Sequence, residues 1–379
     1  MIGRLEAGLA FVVLLCAGTA AAQVRTPDRV LRAMQEGLTA LRSGQLARSA
    51  EMFDAVLAEI EVLWADSESA RLVRSKWHEE GAKEFKGEAY ERSAAFLYRG
   101  VVHLLAGEVE MARAAFKAGT LQDAFAEEEQ YRCDFGSLFY LYALASIELG
   151  ADELARQALA EATLVPGRPW YVAKNPPRER ATVLLVETGT APRKLPDGAG
   201  LAELVLRRGV GFAEETIEAT CSGKSRRFYP SSTDDFYFQA STRGGRPVER
   251  ILAGKVVFQR KLEATGGAFG AAGETADLLA AAGGNADLGA AGALADLVGG
   301  FSRLIASHAK PRVDTRAWAN LPDRLHILFL PPGDVCPSVT VHYLDYTGAP
   351  IPGHTVDVTV PKRDQGLYQY LFIPSPAFG

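Results

Sequence analysis

The sequence predicts an α+β protein in which a helical half precedes a β-rich half. Three observations indicate this class. Residues 27–163 have few prolines, and their apolar side chains recur at three- and four-residue steps, which is typical of helices. Prolines at positions 166, 169, 176 and 177 end that pattern. Short apolar runs bounded by glycine or proline follow, as expected for strands.

The helical half contains a segment that matches the spacing of a tetratricopeptide unit. The unit begins at Ser93. The small residues Gly100 and Ala112 and the bulky residues Phe96 and Phe116 then fall where this repeat requires small and bulky side chains. Small residues at these positions let two helices cross closely, so the segment predicts a helical hairpin.

Two further units, beginning at Val30 and Gly136, flank the first. The second of them places Ala143 and Ala155 at small positions. The three starting points, 30, 93 and 136, are further apart than the usual repeat length of about 34 residues. We therefore expect a degenerate array with insertions at 64–92 and 120–135.

The first helix of each unit contributes four side chains to the inner face of such an array. Almost all of these are apolar, and none is charged: Leu31, Met34, Leu38, Leu41, Ala94, Leu97, Val101, Leu104, Ser137, Tyr140, Leu144 and Ile147. An apolar face of this size does not stay bare in a monomer. We expect the inserted helices or the β half to cover it, and a partner protein is the alternative.

The chain divides by composition into six segments. The β half is expected to contain strands that begin near residues 181, 201, 234, 251, 325, 338, 354 and 367, the last three forming an antiparallel meander. A Gly/Ala-rich stretch interrupts it, and its composition suits short helices or a loop. The expected segments are a signal peptide (1–22), a helical domain (23–165), a linker (166–180), a β-rich module (181–263), the Gly/Ala-rich segment (264–310) and C-terminal strands that complete the module (311–379).

The N-terminal residues have the layout of a secretory signal peptide. Arg4 precedes an apolar run, and the small residues Ala20–Ala22 precede Gln23. We expect cleavage after Ala22 and a soluble periplasmic or secreted protein without a later transmembrane span. Lipid attachment at Cys16 is the alternative, but Leu15 is large for the residue before a lipidated cysteine.

Export changes what the remaining cysteines indicate. Cys133, Cys221 and Cys336 are an odd number without CxxC spacing, so a zinc ribbon and a thioredoxin-type site are excluded. In an oxidising compartment one disulfide is reasonable. Cys221 and Cys336 are the preferred pair because both lie in the β half, and three buried thiols remain the alternative.

The sequence contains no complete catalytic, metal or cofactor motif. The peptide Gly223–Ser225 ends like a phosphate-binding loop, but Glu218 stands where that loop needs glycine. His78 begins like a zinc helix, yet Ala82 replaces its second histidine. The net charge of −5 provides no basis for nucleic-acid binding. We therefore expect no enzyme activity, no metal and no cofactor.

Two basic turns are candidate contacts for a partner. In the first, Arg243 and Arg246 flank Gly244 and Gly245, so a flexible backbone could present two guanidinium groups to a carboxylate or phosphate. An ordinary turn whose arginines pair with the chain's own acids is the alternative. The second turn ends in Arg193 and Lys194 and follows a strand that looks buried.

Six peptides are distinctive as a set: Phe85–Arg92, Tyr98–Gly100, Leu121–Phe125, Val186–Gly189, Thr242–Lys255 and Asp314–Pro322. With these peptides the chain resembles a family of uncharacterised exported bacterial proteins in which tetratricopeptide-like helices precede a β module. The resemblance covers most of the mature chain. It implies an envelope protein without known catalysis, and it supplies no catalytic residues.

The residues and the resemblance together predict a non-catalytic scaffold of the cell envelope that binds a protein partner of unknown identity. The alternative is a module that binds an anionic glycan or lipid head group through the turn at Arg243 and Arg246.

Overall fold

The described residues form six paired helices followed by ten strands, and a seventh, short helix lies among the strands. The computed structural model describes residues 28–65, 85, 87–123, 135–163, 175–197, 203–210, 214–221, 226–242, 314–362 and 366–378. The helices are α1 (Arg29–Arg42), α2 (Leu46–Ala65), α3 (Ala89–Ala106), α4 (Val109–Asp123), α5 (Gly136–Glu148), α6 (Asp152–Thr163) and α7 (Phe236–Thr242). The strands are β1 (Ala181–Thr188), β2 (Arg193–Asp197), β3 (Glu203–Arg207), β4 (Thr216–Cys221), β5 (Arg227–Phe228), β6 (Ser232–Asp235), β7 (Arg324–Leu330), β8 (Ser338–Leu344), β9 (Pro350–Thr359) and β10 (Tyr368–Ile373).

A glycine with positive φ ends the first helix of each hairpin. Gly44, Gly107 and Gly150 have φ values of 71°, 80° and 70°. The amide after each glycine donates a hydrogen bond back into the helix, as Glu108 does to the carbonyl oxygen of His103 at 2.9 Å. This is the Schellman arrangement, and it favours glycine because other residues are strained at positive φ. The turn residue thus sets where each hairpin reverses.

The crossing of α3 and α4 depends on the absence of a side chain at Gly100. A Cβ atom at this position would lie 2.3 Å from the Phe116 ring, which is fully buried. Gly37 has the same relation to Phe53 in the first hairpin, at 3.1 Å. Gly100 and Phe116, which the repeat spacing assigned as a small and a bulky residue, therefore lie against each other where the two helices cross.

Replacing Gly100 with alanine should lower the free energy of unfolding by about 1–3 kcal/mol, because the new methyl group overpacks the crossing. Urea denaturation monitored by circular dichroism measures the change. The variant Phe116→Leu makes room for the methyl group, so the double variant should lose less than the sum of the two single losses. Additive losses would contradict a direct contact between these positions.

The β half forms two four-stranded sheets and a separate hairpin. Sheet A has the order β10-β1-β7-β6, sheet C has the order β5-β4-β8-β9, and β2 pairs with β3. All described pairings are antiparallel except that of β1 with β10. The predicted α+β class, with helices in the first half and mainly antiparallel strands in the second, is confirmed.

Sheet A is the middle of three layers. On β1, Val183 and Leu185 belong to the hydrophobic cluster that includes the helices, whereas Leu184 and Val186 belong to the cluster that includes sheet C. Successive residues of a strand point to opposite faces, so β1 contributes to both cores. This explains why its sequence is a continuous apolar run instead of an alternating one.

Sheet A and its neighbouring segments cover the inner face of the helices. The twelve side chains predicted to line that face are all buried. Tyr98 of α3 lies within 6.4 Å, between ring centroids, of Phe236, Trp318 and Phe372 from the β half. One hydrophobic cluster spans both halves of the chain, so the face is filled by the protein itself.

Two expectations for the strands are wrong. The predicted meander stops after β9, because β10 leaves sheet C and pairs with β1. The run that begins at Asp234 was expected to be a strand, but α7 begins at Phe236. The carboxylate of Asp235 accepts a hydrogen bond from the Phe238 amide at 2.8 Å. This N-terminal cap overrides the β propensity of the aromatic residues that follow.

A disulfide joins Cys221 and Cys336, the pair that the sequence favoured. Cys221 ends β4 and Cys336 precedes β8, the neighbouring strand. Both residues belong to the core between sheets A and C. The bridge closes a segment with a sequence separation of 115 residues.

Candidate functional site

Of the two basic turns that the sequence proposed for partner binding, one lies within the described residues. The turn containing Arg243, Gly244, Gly245 and Arg246 lies outside the described residues. Arg193 is exposed, and its guanidinium donates to the Arg208 carbonyl oxygen at 3.4 Å.

Lys194 does not fit the role proposed for it, because its side chain is only 2% exposed. Its ammonium group lies 2.7 Å from a carboxylate oxygen of Glu88 and 3.4 Å from one of Glu91. It therefore neutralises acids inside the protein instead of presenting its charge to a partner.

Buried polar groups hold the helices against sheet A. The carboxylate of Glu187, on β1, accepts hydrogen bonds from Arg42 of α1 and Tyr98 of α3, both at 2.7 Å. Burial, followed by the charge of Glu187, raises the pKa of Tyr98 well above its usual value, so the hydroxyl stays a donor. These contacts fix the position of the sheet on the helices.

A polar cavity of about 190 Å³ lies where sheets A and C approach each other. Its walls come from the start of β4, the segment before β6, and strands β6 and β7. The lining residues are Glu215, Thr216, Pro230, Ser232, Thr233, Arg324 and His326. Charged and hydroxyl-bearing residues at or next to three strands, β4, β6 and β7, thus line one cavity.

A chain of hydrogen bonds crosses one wall of the cavity. His326 contacts the Thr233 hydroxyl through Nδ1 at 2.9 Å and the Thr188 hydroxyl through Nε2 at 3.0 Å. Burial, and then the charge of Arg324, lower the pKa of His326 to about 3. The imidazole is therefore neutral at neutral pH, and its two partners hold the ring in place.

The guanidinium of Arg324, on the same face of β7 as His326, also lines the cavity. It donates to the carbonyl oxygen of Glu215 at 2.5 Å and to the Glu215 carboxylate at 2.7 Å. It also lies 3.4 Å from Asp235, which in turn pairs with Arg208 at 2.6 Å. A buried guanidinium is stable only with such carboxylate partners, so the acids explain how Arg324 is held beside the cavity.

A second carboxylate, that of Asp323, completes this charged cluster. Arg208 contacts Asp323 as well as Asp235. Burial, followed by repulsion from Asp235, raises the pKa of Asp323 to about 6. Asp235, Asp323, Arg208 and Arg324 therefore form one charged cluster next to the cavity. Protonation of Asp323 raises the net charge of this cluster by one.

The outer edge of β9 is a second feature available for binding. Sheet C ends with β9, and no described strand pairs with its outer side. The Val360 amide donates to the Pro337 carbonyl oxygen at 2.9 Å. Because hydrogen-bonded pairs alternate in an antiparallel ladder, the backbone groups of Thr355, Asp357 and Thr359 point away from β8.

Sequence reasoning did not identify the cavity residues, although the sequence carried a signal. Arg324 and His326 occur two residues apart in a strand that is otherwise apolar, so both face the same side of the sheet. Polar residues in such a strand need buried partners. The paired acids Asp234 and Asp235 were read only as part of a strand.

Comparisons and searches of the described residues give no assignment. No family model, curated protein or solved structure matches the chain. The described residues contain no group of three or more acidic, histidine or cysteine side chains suited to a metal ion. Among the helices of the described ranges, none has the length and apolar character needed to cross a bilayer.

Proposed function

We propose that this protein is a non-catalytic interaction or assembly scaffold of the bacterial cell envelope, and that it binds an extended segment of a partner protein along β9. The observation that carries the proposal is the outward-facing backbone of Thr355, Asp357 and Thr359. An exposed sheet edge binds an extended peptide through main-chain hydrogen bonds. This edge therefore provides a surface for strand addition.

The helical half is a degenerate tetratricopeptide-like array in this proposal, but its inner face is not the binding surface. Three features support the array: the glycine turns, the contact of Gly100 with Phe116, and the matching contact of Gly37 with Phe53. Sheet A occupies the face that such repeats commonly use for partners. Recognition is therefore assigned to the β half.

Export of the protein is part of the same proposal. The basis is the signal-peptide layout of residues 1–22 and the disulfide between Cys221 and Cys336. Disulfides persist in the periplasm and outside the cell, where thiols are not kept reduced. Both features favour an oxidising compartment.

The charge on β9 indicates the chemistry of the partner. Asp357 is the acidic residue of the strand, and its carboxylate accepts a hydrogen bond from Thr340 at 2.6 Å. Antiparallel pairing of two β9 strands centred on this residue would place two carboxylates opposite each other, which is unfavourable. The favoured occupant is an extended segment with a lysine or arginine opposite Asp357.

The variant Asp357→Pro tests strand addition. Proline removes an amide that points away from β8, so the ladder to β8 is kept while an outward donor is lost. A photo-crosslinking residue at Thr355, in cells that naturally express the protein, should capture a partner. We expect Asp357→Pro to reduce this adduct at least about tenfold, equivalent to about 1.4 kcal/mol.

Asp357→Ala is the matched control, because it loses the same carboxylate and the same Thr340 contact but keeps the amide. It loses an exposed ion pair with the partner, which contributes about 0–1 kcal/mol, so it should retain clearly more of the adduct than Asp357→Pro. A crosslinker at the exposed helical residue Gln157 should give no equivalent adduct. Equal yields from Asp357→Pro and Asp357→Ala would refute main-chain recognition, and an adduct between two copies of this chain would refute a foreign partner.

A further inference from the structure

We infer that the cavity between sheets A and C is a binding site for a neutral ligand with several hydroxyl groups, of the size of one monosaccharide ring. This site is separate from the β9 edge and does not depend on the function proposed for that edge. The inference rests on the lining residues, on the balance of charge at the walls and on the hydrogen-bonding groups that remain available.

The walls of the cavity carry both signs of charge. Arg324 and the Glu215 carboxylate that pairs with it both line the cavity, and Glu215 is the more exposed of the two. Because Arg324 and Glu215 are paired, an ion of either sign would be attracted by one of them and repelled by the other, and the two effects largely offset each other. The balanced pair therefore favours a neutral polar ligand.

Hydrogen-bond acceptors remain available at the wall. Arg324 donates to Oε1 of Glu215, whereas Oε2 makes no hydrogen bond with the described residues. The Glu215 side chain is 38% exposed, so this oxygen is accessible. A carboxylate oxygen that is held in place by an arginine accepts strongly from a hydroxyl group.

The Thr233 hydroxyl adds a second polar contact at a fixed position. The neutral ring of His326 anchors it from behind, and Thr188 anchors the ring in turn. A hydroxyl group has one donor and two acceptor positions, so the contact with His326 does not exhaust it. Glu215, immediately before β4, and Thr233, on β6, therefore both line the cavity.

The size of the cavity sets the scale of the ligand. Its volume of about 190 Å³ is below the range of about 300–1,000 Å³ that is typical for drug-sized ligands. A single sugar ring or a short polyol suits this volume, and a chain of several rings does not. The terminal residue of a longer glycan fits only when the remainder of the glycan lies outside the cavity.

Saturation-transfer NMR on the full mature protein tests the site with glucose, galactose, mannose and N-acetylglucosamine as probes. We expect at least one of them to bind with a Kd of about 1–10 mM. The variant Glu215→Gln keeps the shape of the side chain and removes its charge, and it should weaken that binding at least about tenfold. Thr233→Val should weaken it as well.

Glu218→Gln is the matched control, since Glu218 lies on β4, three residues after Glu215, and pairs with Arg227 instead of lining the cavity. It should leave the affinity unchanged. Acetate and methylammonium serve as anionic and cationic probes. Binding of either ion in preference to the sugars would overturn the neutral class, and a cavity that holds only water, with no sugar bound at millimolar concentration, would overturn the site.

Discussion

Replacing Arg42 with methionine should lower the free energy of unfolding by about 3–5 kcal/mol, because removing one partner of a buried ion pair leaves the other charge uncompensated. The side chains of Arg42 and Glu187 are 7% and 0% exposed, and the guanidinium donates to the carboxylate at 2.7 Å. After the substitution, the Tyr98 hydroxyl, also at 2.7 Å, is the one side-chain donor among the described residues that still bonds to that acid. Urea denaturation at pH 7 measures the loss.

Arg48→Met is the matched control for this prediction. Arg48 also contacts two acids, Glu36 and Glu51, but all three side chains are about half exposed. Exposed pairs contribute about 0–1 kcal/mol, so this variant should be nearly as stable as the wild type. Adding Glu187→Gln to Arg42→Met should recover part of the loss, and equal losses for Arg42→Met and Arg48→Met would contradict the interpretation.

Removing the disulfide should lower the free energy of unfolding by about 2–5 kcal/mol. The bridge has a sequence separation of 115 residues, and a crosslink over a long loop restricts the unfolded chain strongly. The double variant Cys221→Ala/Cys336→Ala removes it without leaving an unpaired thiol. Guanidinium denaturation, with oxidised wild-type protein as the reference, measures the change.

A reducing agent provides the control for the disulfide. Wild-type protein that is unfolded and refolded with dithiothreitol should lose as much stability as the double variant, and the double variant itself should not respond. If reduction leaves the wild-type transition unchanged while the double variant is destabilised, the loss comes from packing of the two side chains and not from the crosslink.

The sequence was sufficient for features that a few neighbouring residues determine. Each hairpin turn needs positive φ, which glycine adopts without strain, and Gly44, Gly107 and Gly150 stood at the same position of the three units. Likewise, β1 could be recognised because a strand buried on both faces has to be continuously apolar.

Features that depend on distant segments could not be predicted in this way. The alternation in β10 shows which of its residues face a core, but it does not show which strand lies beside it. The partner is β1, whose residues lie almost two hundred positions earlier. The start of α7 has a local cause. The aromatic residues after Asp235 favour a strand, whereas the hydrogen bond from the Phe238 amide to the Asp235 carboxylate favours the start of a helix.

The candidate site was predictable only in part. The sequence indicates a basic turn at Arg193 and Lys194 after a buried strand. It does not show that Glu91 of α3 pairs with Lys194. Nor does it show that Arg42 of α1 pairs with Glu187 on that strand. A charge on a strand looks the same in sequence whether it meets solvent or a buried partner. Arg324 and His326 were overlooked for this reason.

The parallel pairing of β1 with β10 has a consequence for the order of folding. A ribosome releases the helices first and β10 after every other described strand, so sheet A lacks one edge until late in synthesis. Until then, the apolar face of the helices has no complete cover. The complete sheet, and with it the complete core between sheet A and the helices, can therefore form only after β10 has been synthesised.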